Sequence, residues 1–150
     1  MKRLALILMA AMFMFGCKKS ETEIPPLTTP GMEAKINGSS VDYGVPTGER
    51  QVSTTGTETV FVAAYNTNGN SIEISLSKQG GITTGSYNVS NSAFIGISNG
   101  SEYFETGSSV NIKITSFTDT YIVGSFSGTV VDPLTGGTKT VTEGRFYANF

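Results

Sequence analysis

A two-residue period runs through most of this chain and leaves it little choice of fold. Ile72, Ile74 and Leu76 alternate with Glu73, Ser75 and Ser77, and Val110, Ile112 and Ile114 alternate with Asn111, Lys113 and Thr115. Extended backbone sends successive side chains to opposite faces, so such segments bury one apolar face only as β-strands. Ile122, Phe126 and Val130 form a third row that also contains Gly124 and Gly128, and Phe146, Ala148 and Phe150 form a fourth. Glycines on a core-facing row predict either strong strand coiling or large neighbours packed over them, with Phe146 and Phe150 as the candidates. Thr59 to Tyr65 (Thr-Val-Phe-Val-Ala-Ala-Tyr) is apolar at both parities and reads as a central strand buried on both faces.

Turn residues fall between these rows. Asn37-Gly38 stands between Glu33–Ile36 and Ser39–Tyr43, the spacing of a two-residue type I′ hairpin. Asn68-Gly69 separates a strand ending near Tyr65 from one starting near Ser71, and Asn99-Gly100 separates Phe94–Ile97 from Tyr103–Phe104. Asp132-Pro133-Leu134-Thr135-Gly136-Gly137 makes a longer turn before the last strand. The expected fold is all-β: a single antiparallel β-sandwich or small barrel-like domain of about eight to ten strands over residues 32–150.

The first sixteen residues differ from the rest. Lys2 and Arg3 precede an unbroken apolar run from Leu4 to Phe15, and four of the five Met lie in this leader. As a helix the run spans roughly 18 Å against the ~30 Å of a bilayer core, which suits a secretory signal better than a membrane span. It ends at Met14-Phe15-Gly16-Cys17, and Cys17 is the only Cys. These residues resemble the lipobox of bacterial lipoproteins. The resemblance implies lipid on the Cys17 sulfur, cleavage after Gly16 and a third acyl chain on the new amine. Two or more acyl chains hold a protein on a membrane stably, whereas one does not.

Residues 17–31 then read as the lipidated Cys and a flexible tether. Lys18 to Gly31 carries three Pro and four hydroxyl residues with only two aliphatics, a composition for a disordered or polyproline-like spacer. Fourteen such residues reach at most about 46 Å. Lys18 and Lys19 followed by Glu21 and Glu23 somewhat resemble the surface-export signals of Bacteroidota lipoproteins.

A second resemblance covers about half of the chain. It runs through Gly85-Ser86-Tyr87, Tyr103-Phe104-Glu105-Thr106-Gly107, Ser109 to Thr115, Val123 to Thr129, and Val141-Thr142-Glu143-Gly144-Arg145-Phe146. The pattern is similar to small Bacteroidota lipoproteins carrying an all-β domain of unknown function. That family has no assigned activity, so the resemblance implies a fold and an envelope location but no site residues.

Composition removes much chemistry. The chain has no His, no Trp and one Cys. Without imidazole there is no Ser-His-Asp or Cys-His machinery and no His-ligated zinc or haem. One Cys makes neither an intramolecular disulfide nor a Cys-rich metal site. A net charge of -2 gives no electrostatic footprint for nucleic acid. None of Lys35, Lys78, Lys113 and Lys139 lies in a Ser-x-x-Lys motif on a helix, and Lys113 and Lys139 read as solvated strand-face charges. Glu102 and Glu105 flank Tyr103-Phe104 but point to opposite faces of an extended segment, so a glycosidase-type acid pair needs another partner such as Glu73. Asp119, Asp132 and Glu143 are isolated acids without the density of a calcium loop.

Tyr65, Tyr87, Tyr103, Phe104, Tyr121 and Tyr147, amid 37 Ser and Thr, supply stacking surface and hydrogen bonds. Tyr87, Tyr103 and Phe104 are the expected ligand face. The expected protein is a non-enzymatic, lipid-anchored binding or interaction module of the bacterial outer membrane, facing the periplasm or the cell surface. It needs no cofactor and no metal, and its partners are the membrane, through its lipid, and a glycan or envelope protein. The alternatives are a glycan-binding lipoprotein of a polysaccharide-uptake system, a carboxylate-based glycan hydrolase, and a small outer-membrane β-barrel suggested by the terminal Phe150 strand.

Overall fold

The computed structural model describes residues 23–150; the leader, Gly16 and Cys17 lie outside the described residues. Ten strands follow one another: β1 (Gly31–Ile36), β2 (Ser39–Gly44), β3 (Thr47–Val52), β4 (Thr57–Tyr65), β5 (Asn70–Gln79), β6 (Gly85–Asn88), β7 (Phe94–Asn99), β8 (Glu102–Phe117), β9 (Tyr121–Val131) and β10 (Thr138–Asn149). One 3₁₀ turn, Val89–Asn91, joins β6 to β7. The all-β expectation holds.

The turns are made by the residues that signalled them. Asn37 and Gly38 both take positive φ (49° and 84°), as a type I′ hairpin requires. Between β4 and β5, Gly69 takes a φ of 79°, and Asn66, outside the Asn-Gly signal, accepts through Oδ1 the N–H groups of Asn68 (3.0 Å) and Asn70 (3.1 Å). Asp132 does the same between β9 and β10, accepting from Leu134 at 2.8 Å. These bonds to its own turn hold the Asp132 carboxyl below its ordinary pKa, that from the Thr135 hydroxyl foremost.

Hydrogen-bonded pairing runs β3–β4–β5–β7–β8–β9–β10 and returns to β3, so the sheet closes into a barrel-like ring. Each pairing is antiparallel except the closing one, where Asn149 meets Thr47 in parallel. The β1–β2 hairpin extends from β10, and β6 lies on β8 alongside β7. Bulges break the register of β8 between Thr106 and Val110 and of β10 between Val141 and Gly144. Such bulges bend long strands and increase their twist, which lets a 16-residue strand serve both β7 and β6.

The alternating rows point inward. Ile72, Ile74, Leu76, Ile95, Ile112, Ile114, Ile122 and Phe146 are all buried in one apolar cluster. Ser75, Lys113, Ser125 and Arg145 occupy the opposite parity. An apolar inside and a polar, charged outside is the inverse of the arrangement that a lipid-spanning barrel needs.

Strands β9 and β10 hold the tightest packing. Phe146 pairs across the ladder with Gly124, and Phe126 with Gly144. A Cβ on Gly124 would lie 2.8 Å from the Phe146 ring and 2.5 Å from Lys113 O; on Gly144 it would lie 2.5 Å from the Phe126 ring. Each ring therefore lies over the glycine of the other strand, and the two ring centroids are 6.2 Å apart. Gly124 is covered by Phe146 as expected. Gly128 is not covered by Phe150; it faces the backbone of Ser109 and Val110, and Phe150 instead lies against Gly48 in β3.

The ring closes around a small cluster. Phe117 and Phe150 meet edge to face at 5.9 Å, and the Arg50 guanidinium lies 5.3 Å above the Phe117 ring. Arg50 pairs with Asp119 (2.7 Å) and with Glu58, which is 4% exposed. Glu58 Oε2 also accepts the N–H of Ile82 at 2.6 Å, so a buried carboxylate pins the loop after β5 to β3 and β4. A buried charge persists only when paired and hydrogen-bonded in this way.

One strand reading needs correction. Strand β4 buries Val60, Val62 and Ala64, but Phe61 and Tyr65 on its other parity are 44% and 73% exposed. A barrel strand has one inner face and one solvent face, so being apolar at both parities does not bury both.

Gly124→Ala and Gly144→Ala should each lower stability by about 1–3 kcal/mol through overpacking against the facing phenylalanine. Urea unfolding followed by circular dichroism measures this; an unchanged midpoint for both variants would refute the reciprocal packing.

Candidate functional site

The exposed aromatics of β4 belong to a larger surface on the outer face of β4, β5, β7 and β8. Register places Phe61, Ser75 and Phe94 in one cross-strand row, and Ala63, Glu73 and Gly96 in the next. Tyr65, Ser71, Ser98 and Tyr103 form a third row. At about 4.8 Å between strands and 3.3 Å per residue, the face spans on the order of 13 Å in each direction. Tyr103 is 42% exposed, so three aromatic side chains reach solvent around a centre of serines and one carboxylate.

The centre is shaped by Gly96. A Cβ there would lie 2.5 Å from Glu73 Oε1, so the Glu73 side chain occupies the space that the glycine leaves. Lying across β7, Glu73 accepts a hydrogen bond from Tyr103 Oη at 3.3 Å. Burial, then the negative charge of Glu73, its hydrogen bond and the charge of Glu105, hold the Tyr103 phenol above its ordinary pKa. The phenol thus stays a neutral donor over a wide pH range. An ionised carboxylate has about four lone-pair positions, and Tyr103 uses one of them. The face offers flat apolar surface at its rim, and a strong acceptor with several hydroxyls at its middle.

The three residues expected to form a ligand face are not brought together. Tyr87 is 5% exposed and belongs to the core cluster. Its hydroxyl donates to Thr83 O (2.8 Å) and accepts from Thr83 N (2.9 Å), which secures the loop before β6. Phe104 is likewise 5% exposed and points inward, with Lys139 Nζ 3.9 Å from its ring centroid. Only Tyr103 faces solvent. Tyr121 and Tyr147 pack on each other at a tilt (centroids 5.3 Å apart) on the wall of β9 and β10, away from this face. Phe61, Phe94 and Gly96 were not singled out from the sequence as site residues, and Glu73 was named only as a possible partner for an acid pair. The signal for Phe61 was there: it lies out of phase with Val60 and Val62, which pair with the Ile72–Leu76 row.

The other candidate acids are engaged. Glu102 pairs with Lys139 (2.8 Å), Glu143 with Lys35 (2.7 Å) and Asp119 with Arg50. Among the described residues no three His, Cys, Asp or Glu side chains gather as a metal-binding group. Compared with protein-family models, with curated proteins and with solved structures, the chain matches none.

Replacing Glu73 with Gln removes the negative charge beside Tyr103, so the Tyr103 pKa should fall back toward the ordinary tyrosine value. Following the ring carbon that bears the hydroxyl by NMR through an alkaline titration tests this; an unmoved titration would remove Glu73 from the site.

Proposed function

We propose that this chain is a non-catalytic binding module of the bacterial envelope, carried on the outer membrane by lipid at Cys17, and that its contact surface is the β4–β5–β7–β8 face. The observation that carries the reading is the exposure of Phe61, Tyr65 and Tyr103 around Glu73 on a sheet whose other apolar rows are buried. Aromatic side chains left in solvent beside hydroxyls and an acceptor suit a ligand with both a flat C–H face and hydroxyl groups. A glycan has both. The lipobox-like Met14-Phe15-Gly16-Cys17 supports the anchor, and the polar outer wall suits a domain held beside a membrane rather than within it.

The test is retention of the full chain in gels containing soluble polysaccharides. Tyr65→Ala and Tyr103→Ala should each weaken retention about 5- to 10-fold, the scale of one lost stacking contact of about 1 kcal/mol. Cys17→Ala should abolish fatty-acid labelling and leave retention unchanged. Failure to be retained on any polysaccharide, together with capture of an envelope protein that depends on Tyr65, would replace the glycan by a protein partner. Release of soluble sugar, lost in Glu73→Gln, would overturn the non-catalytic reading.

A further inference from the structure

The segment Glu23–Pro26, within the expected tether, lies on the outer wall of β8, β9 and β10. Register aligns Glu33, Arg145, Ser125 and Lys113 in one row across β1, β10, β9 and β8. The segment crosses this row. Glu23 pairs with Lys113, and Arg145 Nη1, whose guanidinium also pairs with Glu33, donates to Pro25 O at 3.1 Å. Ile24, between those two contacts, is partly buried against the wall. The Lys113 ammonium, by hydrogen bond and by charge, holds the Glu23 carboxyl below its ordinary pKa.

The chemistry on both sides is complementary. The wall presents two cations on either side of a serine, and the segment presents an acid, an apolar side chain and a proline carbonyl. Pro25 and Pro26 fix their own backbone φ, so less conformational freedom is lost on docking than in a glycine-rich segment. The Lys113–Glu23 pair is solvent-exposed, and such a pair alone is weak and screened by salt. The carbonyl contact and Ile24 make the docking specific.

We infer that the outer wall of β8, β9 and β10 is a docking surface for an extended segment of acid, apolar residue and Pro-Pro, that Glu23–Pro26 of this chain occupies it, and that this clamp turns the Phe61–Tyr65–Tyr103 face away from the membrane. Six residue steps separate Cys17 from Glu23, a reach of at most about 21 Å. A tether free as far as Gly31 would reach about 46 Å. The ring order sets β9 and β10 across from β4 and β5, so a lipid held close to Lys113 leaves the aromatic face on the far side. The orientation rests on the lipid anchor proposed above; the docking does not.

The chain contains no Trp, which makes single-Trp reporters clean. Tyr65→Trp marks the far wall and Tyr147→Trp the docking wall, each in the lipidated chain on phosphatidylethanolamine–phosphatidylglycerol vesicles carrying a headgroup nitroxide. Trp at 147 should be quenched several-fold more than Trp at 65. Lys113→Glu should erase the difference, and the exchange Glu23→Lys with Lys113→Glu should restore it. In nanodiscs, the amide heteronuclear NOE of Glu23 and Ile24 should match that of the strands in the wild type, fall in Lys113→Glu and recover in the exchanged pair. Equal and low values in wild type and Lys113→Glu would overturn the docking. Rigid Glu23 and Ile24 with equal quenching at 65 and 147 would overturn the orientation alone. A chain that fails to float with vesicles would overturn the anchor, and with it the orientation, while the NOE still decides the docking.

Discussion

The exchange of phenylalanine over glycine between β9 and β10 is the contact on which the rest of the barrel depends. Each ring needs a neighbour without a side chain, and each strand supplies one glycine and one phenylalanine in register. The arrangement fills the interior between β9 and β10 without forcing the strands apart. Because β10 carries β1 on the edge away from β9, and also makes the closing contact with β3, its position fixes both the β1–β2 hairpin and the seam. A displaced β10 would open the ring and wet the cluster of Ile, Val and Phe behind it.

Much of this architecture was legible in the residues. Alternation placed the Ile72, Val110, Ile122 and Phe146 rows inside, Asn-Gly pairs located turns, and Gly124 called for a large neighbour that Phe146 provides. Ring closure was not legible, because it rests on one pairing between Thr47 and Asn149, about a hundred residues apart, with no local signature. The buried Glu58 gave no sign either, since its partners Arg50 and Ile82 come from β3 and from the loop after β5.

The expected ligand face shows why residue type alone is a poor guide. Tyr87 and Phe104 share aromatic character with Tyr103, yet parity along the strand sends Phe104 inward and Tyr103 outward, and the pairing of β6 on β8 buries Tyr87. Strand parity can be counted in sequence, but which parity faces the core is settled by neighbours. Phe61 illustrates the converse: an apolar run that reads as doubly buried has one solvent face, and the residues on that face are the ones free to meet a partner. Gly96 and Glu73 became a pair only through the β5–β7 register.

The seam carries a consequence for how the molecule reaches its shape. Most strand pairs here are neighbours in the chain or separated by a single strand, and they form over short loops. The β1–β10 and β3–β10 pairings and the Arg50–Asp119 pair instead join distant segments, so the entropy of closing a long loop precedes any reward from them. Contacts of that separation slow folding relative to local ones. The seam thus couples early and late parts of the chain, since the ring has no closed edge until β10 stands beside β3.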